Sequence, residues 1–331
     1  MKNNSFEEIW NKLKSFKRVV MSLHAKPDGD SLGSCTALKY VLERDLKCRI
    51  KLVSYDTLSE DLNQFPFAKE VEFGTDISDL DPNKFDGVIF LDSSLENQSG
   101  KLKKEFKIPK IFTINLDHHN TNTFYGNMNY VDKESPSACS VLVNFFKDRK
   151  INFDKELSTR LLLGICTDTI FFKTQSSDKA LKDAGFLVEH EAEYFNKIVS
   201  PLELNIPLKY KRYIGVLFNN FKLVPEQKFG YSIITQKEVK DLGLNETEIR
   251  GGANELQYIK ECDFIFTLTE LENEIKGSFR SKKEIDVSLF AKELGGGGHK
   301  LAAGFVLPKM SLNLAEEKVL EAVKKVGIQK I

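Results

Sequence analysis

Short apolar runs that end abruptly on aspartate or histidine constrain this chain more than any other feature. Four occur in the first 120 residues: 18–23 (RVVMSL), 48–55 (CRIKLVSY), 86–91 (DGVIFL) and 110–116 (KIFTINL). Each has the length of a buried strand and is too short for a buried helix. The first stops at His24, the third at Asp92 and the fourth at Asp117-His118-His119. Between and after them lie helical patterns. Residues 6–17 carry apolar side chains at helical spacing, Ser31 offers a cap for a helix through about Glu43, and 157–167 (LSTRLLLGICT) read as a helix leading to Asp168. Strands alternating with helices predict an α/β domain with a parallel sheet covered on both faces. Such sheets bind ligands beyond the carboxyl ends of their strands, which is where the polar clusters fall.

The 331 residues exceed what one core usually accommodates and predict two domains. Pro201 and Pro207, with a charged stretch at 189–193, break the pattern. The expected division is a catalytic domain over 1–187, a linker over 188–212 with a helical stretch around 191–199, and a smaller α/β domain over 213–331. In the last, 229–235, 262–269 and 274–280 read as strands, and 286–294 and 314–326 as helices. Forty-eight basic residues balance 48 acidic ones. Without a basic surplus to neutralise a long phosphate backbone, a small anionic substrate is favoured over tracking along duplex DNA. Five cysteines with no C-x-x-C spacing exclude a disulfide framework or a structural zinc site as the simple reading. The polar start Met1–Glu8 and the absence of any apolar stretch of membrane-spanning length lead us to expect a cytoplasmic protein. Monomer and homodimer both remain open.

Seven residues carry the candidate chemistry: His24, Asp28, Asp30, Asp92, His118, His119 and Asp168. Taken singly, Asp28-Gly29-Asp30 after Pro27 is a solvated turn, Asp92 a loop acid, His118-His119 a surface pair and Asp168 a cap. Taken together they are harder to dismiss, because the chain has only five histidines and three of them stand beside aspartates at strand ends. Two divalent cations can activate water and stabilise the leaving oxygen of a phosphate ester, given several carboxylates and a few imidazoles. Mixed carboxylate and imidazole ligation suits Mn²⁺ and accommodates Mg²⁺.

The segment His24-x-x-Pro27-Asp28-Gly29-Asp30-Ser31-Leu32-Gly33-Ser34 and the triplet Asp117-His118-His119 resemble the DHH phosphoesterases, with Asp92 and Asp168 at that family's other two acidic motifs. The resemblance implies that His24 and Asp28 hold one ion, that Asp30, His118 and Asp168 hold the other, and that Asp92 bridges both. It implies that Asp117 and His119 orient the ligands or face the substrate. Ile170 stands where similar proteins often carry Gly, and Ser140 near where they carry an acid.

A second constellation lies near the C-terminus. Residues 295–299 read GGGGH and are followed by Leu301-Ala302-Ala303-Gly304. Consecutive glycines let backbone N–H groups approach an anion. His299 can donate to a phosphate oxygen, and Arg280, at a predicted strand end, offers a planar fork for one. On its own such a run is a glycine-rich turn. Followed by AAG and preceded by Phe279-Arg280-Ser281, it resembles the DHH-associated C-terminal domain of the first type. That resemblance implies substrate contacts from Arg280, Gly296, Gly297, Gly298 and His299, with Arg250 a weaker candidate. The two-domain layout is similar to the oligoribonuclease and 3′-phosphoadenosine 5′-phosphate phosphatase group. It implies an exonuclease-like hydrolase acting on short single-stranded RNA or DNA, or on nucleotides. The alternatives are a nucleotide sensor without turnover and a linear or cyclic dinucleotide phosphodiesterase.

Overall fold

The computed structural model describes residues 2–99, 111–173, 177–244, 249, 252–282 and 285–328. The chain divides into two compact units, Met1–Asn205 and Ile206–Ile331. Among the described residues no helix is long and apolar enough to cross a membrane.

The N-terminal unit is built on six parallel strands: β1 (Arg18–Ser22), β2 (Arg49–Ser54), β3 (Glu72–Phe73), β4 (Gly87–Leu91), β5 (Phe112–Asp117) and β6 (Met128–Val131). Their order is β3-β2-β1-β4-β5-β6. The chain thus builds outward from β1 in one direction, then returns to β4 and builds in the other. The crevice where that order reverses, at the carboxyl ends of β1 and β4, is the place such sheets bind ligands. All five residues of β4 are buried, as a central strand covered on both faces requires. The core runs through Val19, Met21, Ile89 and Leu91 of the sheet into the helices Gly29–Leu46, Ala138–Asp148 and Lys155–Asp168.

Three local readings are corrected. The cap of the helix Gly29–Leu46 is Asp28, not Ser31: the Asp28 carboxylate accepts the N–H groups of Asp30 and Ser31 at 3.1 and 3.0 Å. The helix therefore starts three residues earlier and carries Asp30 in its first turn. Strands β3 and β6 are additional, since runs of 2 and 4 residues are too short to stand out by pattern. Asp168 is the last residue of its helix rather than the loop residue after it.

The C-terminal unit has a separate six-stranded sheet: β7 (Lys222–Val224), β8 (Phe229–Ile234), β9 (Phe264–Glu270), β10 (Glu274–Ser281), β11 (Gly297–His299) and β12 (Ala302–Pro308). The order is β11-β12-β10-β9-β8-β7, and only β8 and β9 pair in parallel. Phe229, Phe264, Phe266, Phe279, Phe290 and Phe305 fill its core, which accounts for part of the high phenylalanine content. Tyr194–Leu204 forms a π-helical stretch and Leu208–Asn219 an α-helix, so ordered helix occupies much of the segment expected to link the domains.

Candidate metal centre

The ends of β1, β4 and β5, the start of the helix Gly29–Leu46 and the end of the helix Lys155–Asp168, which packs against it, converge on one cluster. His24 follows β1 and donates from Nδ1 to its neighbour's carbonyl, Ala25 O, at 2.8 Å. That bond turns Nε2 toward Asp28 Oδ1 at 3.5 Å and Asp92 Oδ2 at 3.3 Å. His118, after β5, is held in the same way by Ser135 O at 3.3 Å. Its Nε2 lies 3.3 Å from Asp92 Oδ1, 3.5 Å from Asp168 Oδ2 and 4.0 Å from Asp30 Oδ2. Asp92 thus turns one carboxylate oxygen toward each group. Two sets of donor atoms close enough to share an ion result, His24 with Asp28 and Asp92, and Asp30 with His118 and Asp168; a third set joins Asp92, Asp117, His118 and His119.

The backbone is shaped for this. Asp92 ends β4 at φ +53°, a left-handed conformation that Asp tolerates better than most residues. The turn after it is gripped at one carbonyl: Ser93 O accepts from Asn115 Nδ2 at 3.1 Å, Asn122 Nδ2 at 3.2 Å and the Tyr125 hydroxyl at 3.2 Å. Asn122 also donates to Asp117 Oδ2 at 2.6 Å, and Asp117 Oδ1 takes His119 Nδ1 at 2.8 Å. The sequence reading missed Asn115 and Asn122, whose role shows only as hydrogen bonds. It also missed the N-terminus of the helix Ala138–Asp148. The backbone N–H groups of Ala138 and Cys139 donate to Asp30 at 2.6 and 2.9 Å, a placement that the helix dipole favours.

The clustered acids and imidazoles shift one another strongly. Burial, then the Asp92 and Asp168 carboxylates, push the Asp30 carboxyl well above its ordinary range. Burial raises Asp168 to about 7 against the pull of His118, with Asp92 and Asp28 adding to the rise. Burial works against the His118 imidazolium, yet Asp92, Asp168 and Asp30 raise it to about 10. Burial likewise opposes charge on His24, and Asp28 and Asp92 overcome it. Asp92 is held far below the usual carboxylate range against its burial by His118 and His24. Asp30 and Asp168 are thus pushed toward the neutral form, while His24 and His118 favour the protonated one, as donors crowded round a shared cation site would be. His118 Nε2 is buried without a hydrogen bond among the described residues, although it is aimed at three carboxylates. A buried orphan lone pair among carboxylates, on a ring fixed through its other nitrogen, fits a divalent cation.

In the C-terminal unit, Arg280 lies in β10, opposite Ala302 of β12, which in turn pairs with His299 of β11. Its Nε donates to Asn254 Oδ1 at 2.6 Å and Nη1 to Phe279 O at 2.8 Å. Burial alone lowers its pKa, and among the described residues no carboxylate pairs with it. The glycine run becomes the edge strand β11. A Cβ on Gly296 would collide with Gly304 O and one on Gly298 would sit 2.6 Å from Ala302 O, whereas Gly297 is open. Arg250 lies outside the described residues.

A parallel sheet whose switch point collects five aspartates and three histidines around shared donor sites defines a divalent-metal-dependent phosphoesterase. The chain belongs to the DHH family: residues 18–165 match the DHH family N-terminal domain and 227–327 the DHHA1 domain. A Thermus thermophilus protein named bifunctional oligoribonuclease and PAP phosphatase NrnA is 27% identical over 307 residues, spanning 92% of this chain and 89% of its own. A Mycoplasma genitalium protein of the same name is 26% identical over 336 residues, spanning 98% and 99%. An exopolyphosphatase-related protein from Bacteroides fragilis shares the fold, with a TM-score of 0.87 at 19% identity over 97% of this chain and 95% of that one.

Proposed function

We propose that this chain hydrolyses short oligoribonucleotides and dinucleotides to mononucleotides, and 3′-phosphoadenosine 5′-phosphate to AMP, with two divalent cations of which Mn²⁺ is preferred to Mg²⁺. One observation carries the reading: Asp92 offers one oxygen to a His24–Asp28 group and the other to a His118-centred group. Such an arrangement suits a pair of ions sharing one bridging carboxylate. The names of the relatives support the substrate class.

In this reading His24, Asp28 and Asp92 hold one cation, and Asp30, His118, Asp168 and Asp92 the other. When bound, the pair polarises the scissile phosphate and lowers the pKa of water at the site. Asp117 favours the protonated form of His119, against its burial, through the 2.8 Å bond, and a protonated His119 neutralises charge developing on the phosphoryl oxygens. Residues 1–187 form the catalytic domain, 188–212 the linker and 213–331 the substrate-binding domain. In the last, Arg280, Gly296–Gly298 and His299 hold a substrate phosphate, with Arg250 assisting. Arg280 suits that task, since a half-buried guanidinium with no carboxylate partner among the described residues favours an incoming anion.

The test is turnover of a labelled RNA dinucleotide, a longer RNA and 3′-phosphoadenosine 5′-phosphate with Mn²⁺ or Mg²⁺. Fastest cleavage of the dinucleotide with Mn²⁺, abolished by Asp92→Ala in a protein of unchanged circular dichroism, is the expected result. Binding of all three without products identifies a sensor and refutes the proposal.

A further inference from the structure

The helix that carries Asp168 ends in a costly way. The Ile170 N–H donates to Thr167 O at 3.1 Å and the Phe171 N–H to Cys166 O at 2.7 Å, the paired bonds of a Schellman turn. The residue just past the cap of that turn adopts a left-handed conformation and is usually glycine. Here it is Ile170 at φ +49°, followed by Phe171 at +51° and Phe172 at +64°. Among the described residues Ile170 is the one β-branched residue with positive φ, a conformation that branching at Cβ makes especially unfavourable.

The two phenylalanines compensate by packing against the N-terminal core, where the Phe172 ring lies 6.5 Å from that of Tyr194. Thr169 braces the turn, its hydroxyl accepting the Phe172 N–H at 3.1 Å and donating to Ile165 O at 2.6 Å. Ile170 gains much less, because its residue is 40% exposed. The backbone there favours glycine and the solvent favours a polar side chain, so isoleucine is disfavoured twice. It sits two residues beyond Asp168, whose carboxylate is 3.5 Å from His118. Leu95, three residues beyond Asp92, is also 40% exposed. A residue disfavoured on both counts beside a reactive centre is retained for what it touches.

We propose that Ile170 is a specificity-determining residue, giving an apolar face to the nucleobase of a nucleotide seated at the metal centre, with Leu95 as a second apolar contact. This rests on the nucleotide reading above. Calorimetric binding of AMP and of inorganic phosphate to the Mn²⁺-loaded full chain tests it, using wild type, Ile170→Gly, Ile170→Asn and Ile170→Leu. Burying roughly 55 Å² of apolar surface, isoleucine and base counted together and so only part of the exposed face, corresponds to a change on the order of tenfold in affinity. AMP binding should weaken by that factor in the Gly and Asn variants and persist in the Leu variant. Phosphate binding should be the same in all four, and the Gly variant should melt no lower than wild type. Equal AMP affinity across the variants overturns the proposal, as does a wild type that binds AMP no more tightly than phosphate. A drop in the melting temperature of Ile170→Gly makes the side chain structural and overturns it too. Dinucleotide turnover by wild type, measured alongside, addresses hydrolysis separately: AMP binding that depends on Ile170 without turnover keeps this assignment and removes the hydrolytic one.

Discussion

Gly164→Ala sets two physical effects against each other. Gly164 lies inside the helix Lys155–Asp168, where alanine is favoured over glycine by about 0.5–1 kcal/mol. Packing opposes the change. A Cβ there would strike Cys139 Sγ and would lie 2.5 Å from Asp30 Oδ1 and 2.9 Å from Asp30 Cα. Relief requires the helices Gly29–Leu46 and Lys155–Asp168 to part by roughly 1 Å, and overpacking of that kind costs about 1–3 kcal/mol. The movement also strains the bonds of Asp30 to the Ala138 and Cys139 N–H groups, each charge-assisted and worth about 1.5–3 kcal/mol. Packing wins, and the net loss is about 1–4 kcal/mol. Trp10 is the sole tryptophan of the chain and is buried in the same core, so its fluorescence during urea denaturation follows the N-terminal unit alone. Gly185→Ala is the control, because Gly185 has open space at its Cβ on the helix Ser177–Glu189 and should gain about 0.5–1 kcal/mol from propensity alone. A Gly164→Ala variant as stable as this control, with undiminished Mn²⁺ affinity, would refute the reasoning.

Three further outcomes are expected. Asn122→Ala removes the donor that holds Asp117 at 2.6 Å; kcat should fall by about 10–100-fold, and steady-state kinetics showing no change would exclude a positioning role. Mn²⁺ must displace protons from Asp168, raised to about 7, and from His118, raised to about 10, so apparent affinity should rise with pH between about 6 and 8. Calorimetry in buffers of different ionisation enthalpy should register the released protons. Arg280→Ala should raise KM for phosphorylated dinucleotides by about tenfold or more while leaving that for a small chromogenic phosphodiester nearly unchanged, and equal effects on both would remove Arg280 from recognition.

The features legible in the sequence were those with a one-dimensional signature. A strand such as Gly87–Leu91 is wholly apolar and stops at an aspartate, so both the element and the candidate ligand after it can be read directly. The same holds for His24 and for the pair after β5. What escaped notice depends on contacts distant in sequence. Asn122 is an ordinary polar loop residue until the fold brings Ser93 and Asp117 to it. Ala138 and Cys139 act through backbone N–H groups, which no side-chain pattern reveals. The Asp28 cap was misread because Ser31 is an equally good capping residue, and only the backbone geometry decides between them. Gly164 gave no signal at all, since its importance lies in the absence of a side chain at a helix crossing.

All eight residues of the candidate metal centre come from a unit with its own sheet and its own core, while Arg280 and the glycine run belong to a different sheet with a different core. The two tasks are therefore insulated from each other's mutations. Under the assignment proposed above, remodelling around β10–β12 would retune which ester is accepted without disturbing the metal ligands. A lineage built on this plan is free to diversify its diet while its teeth stay the same.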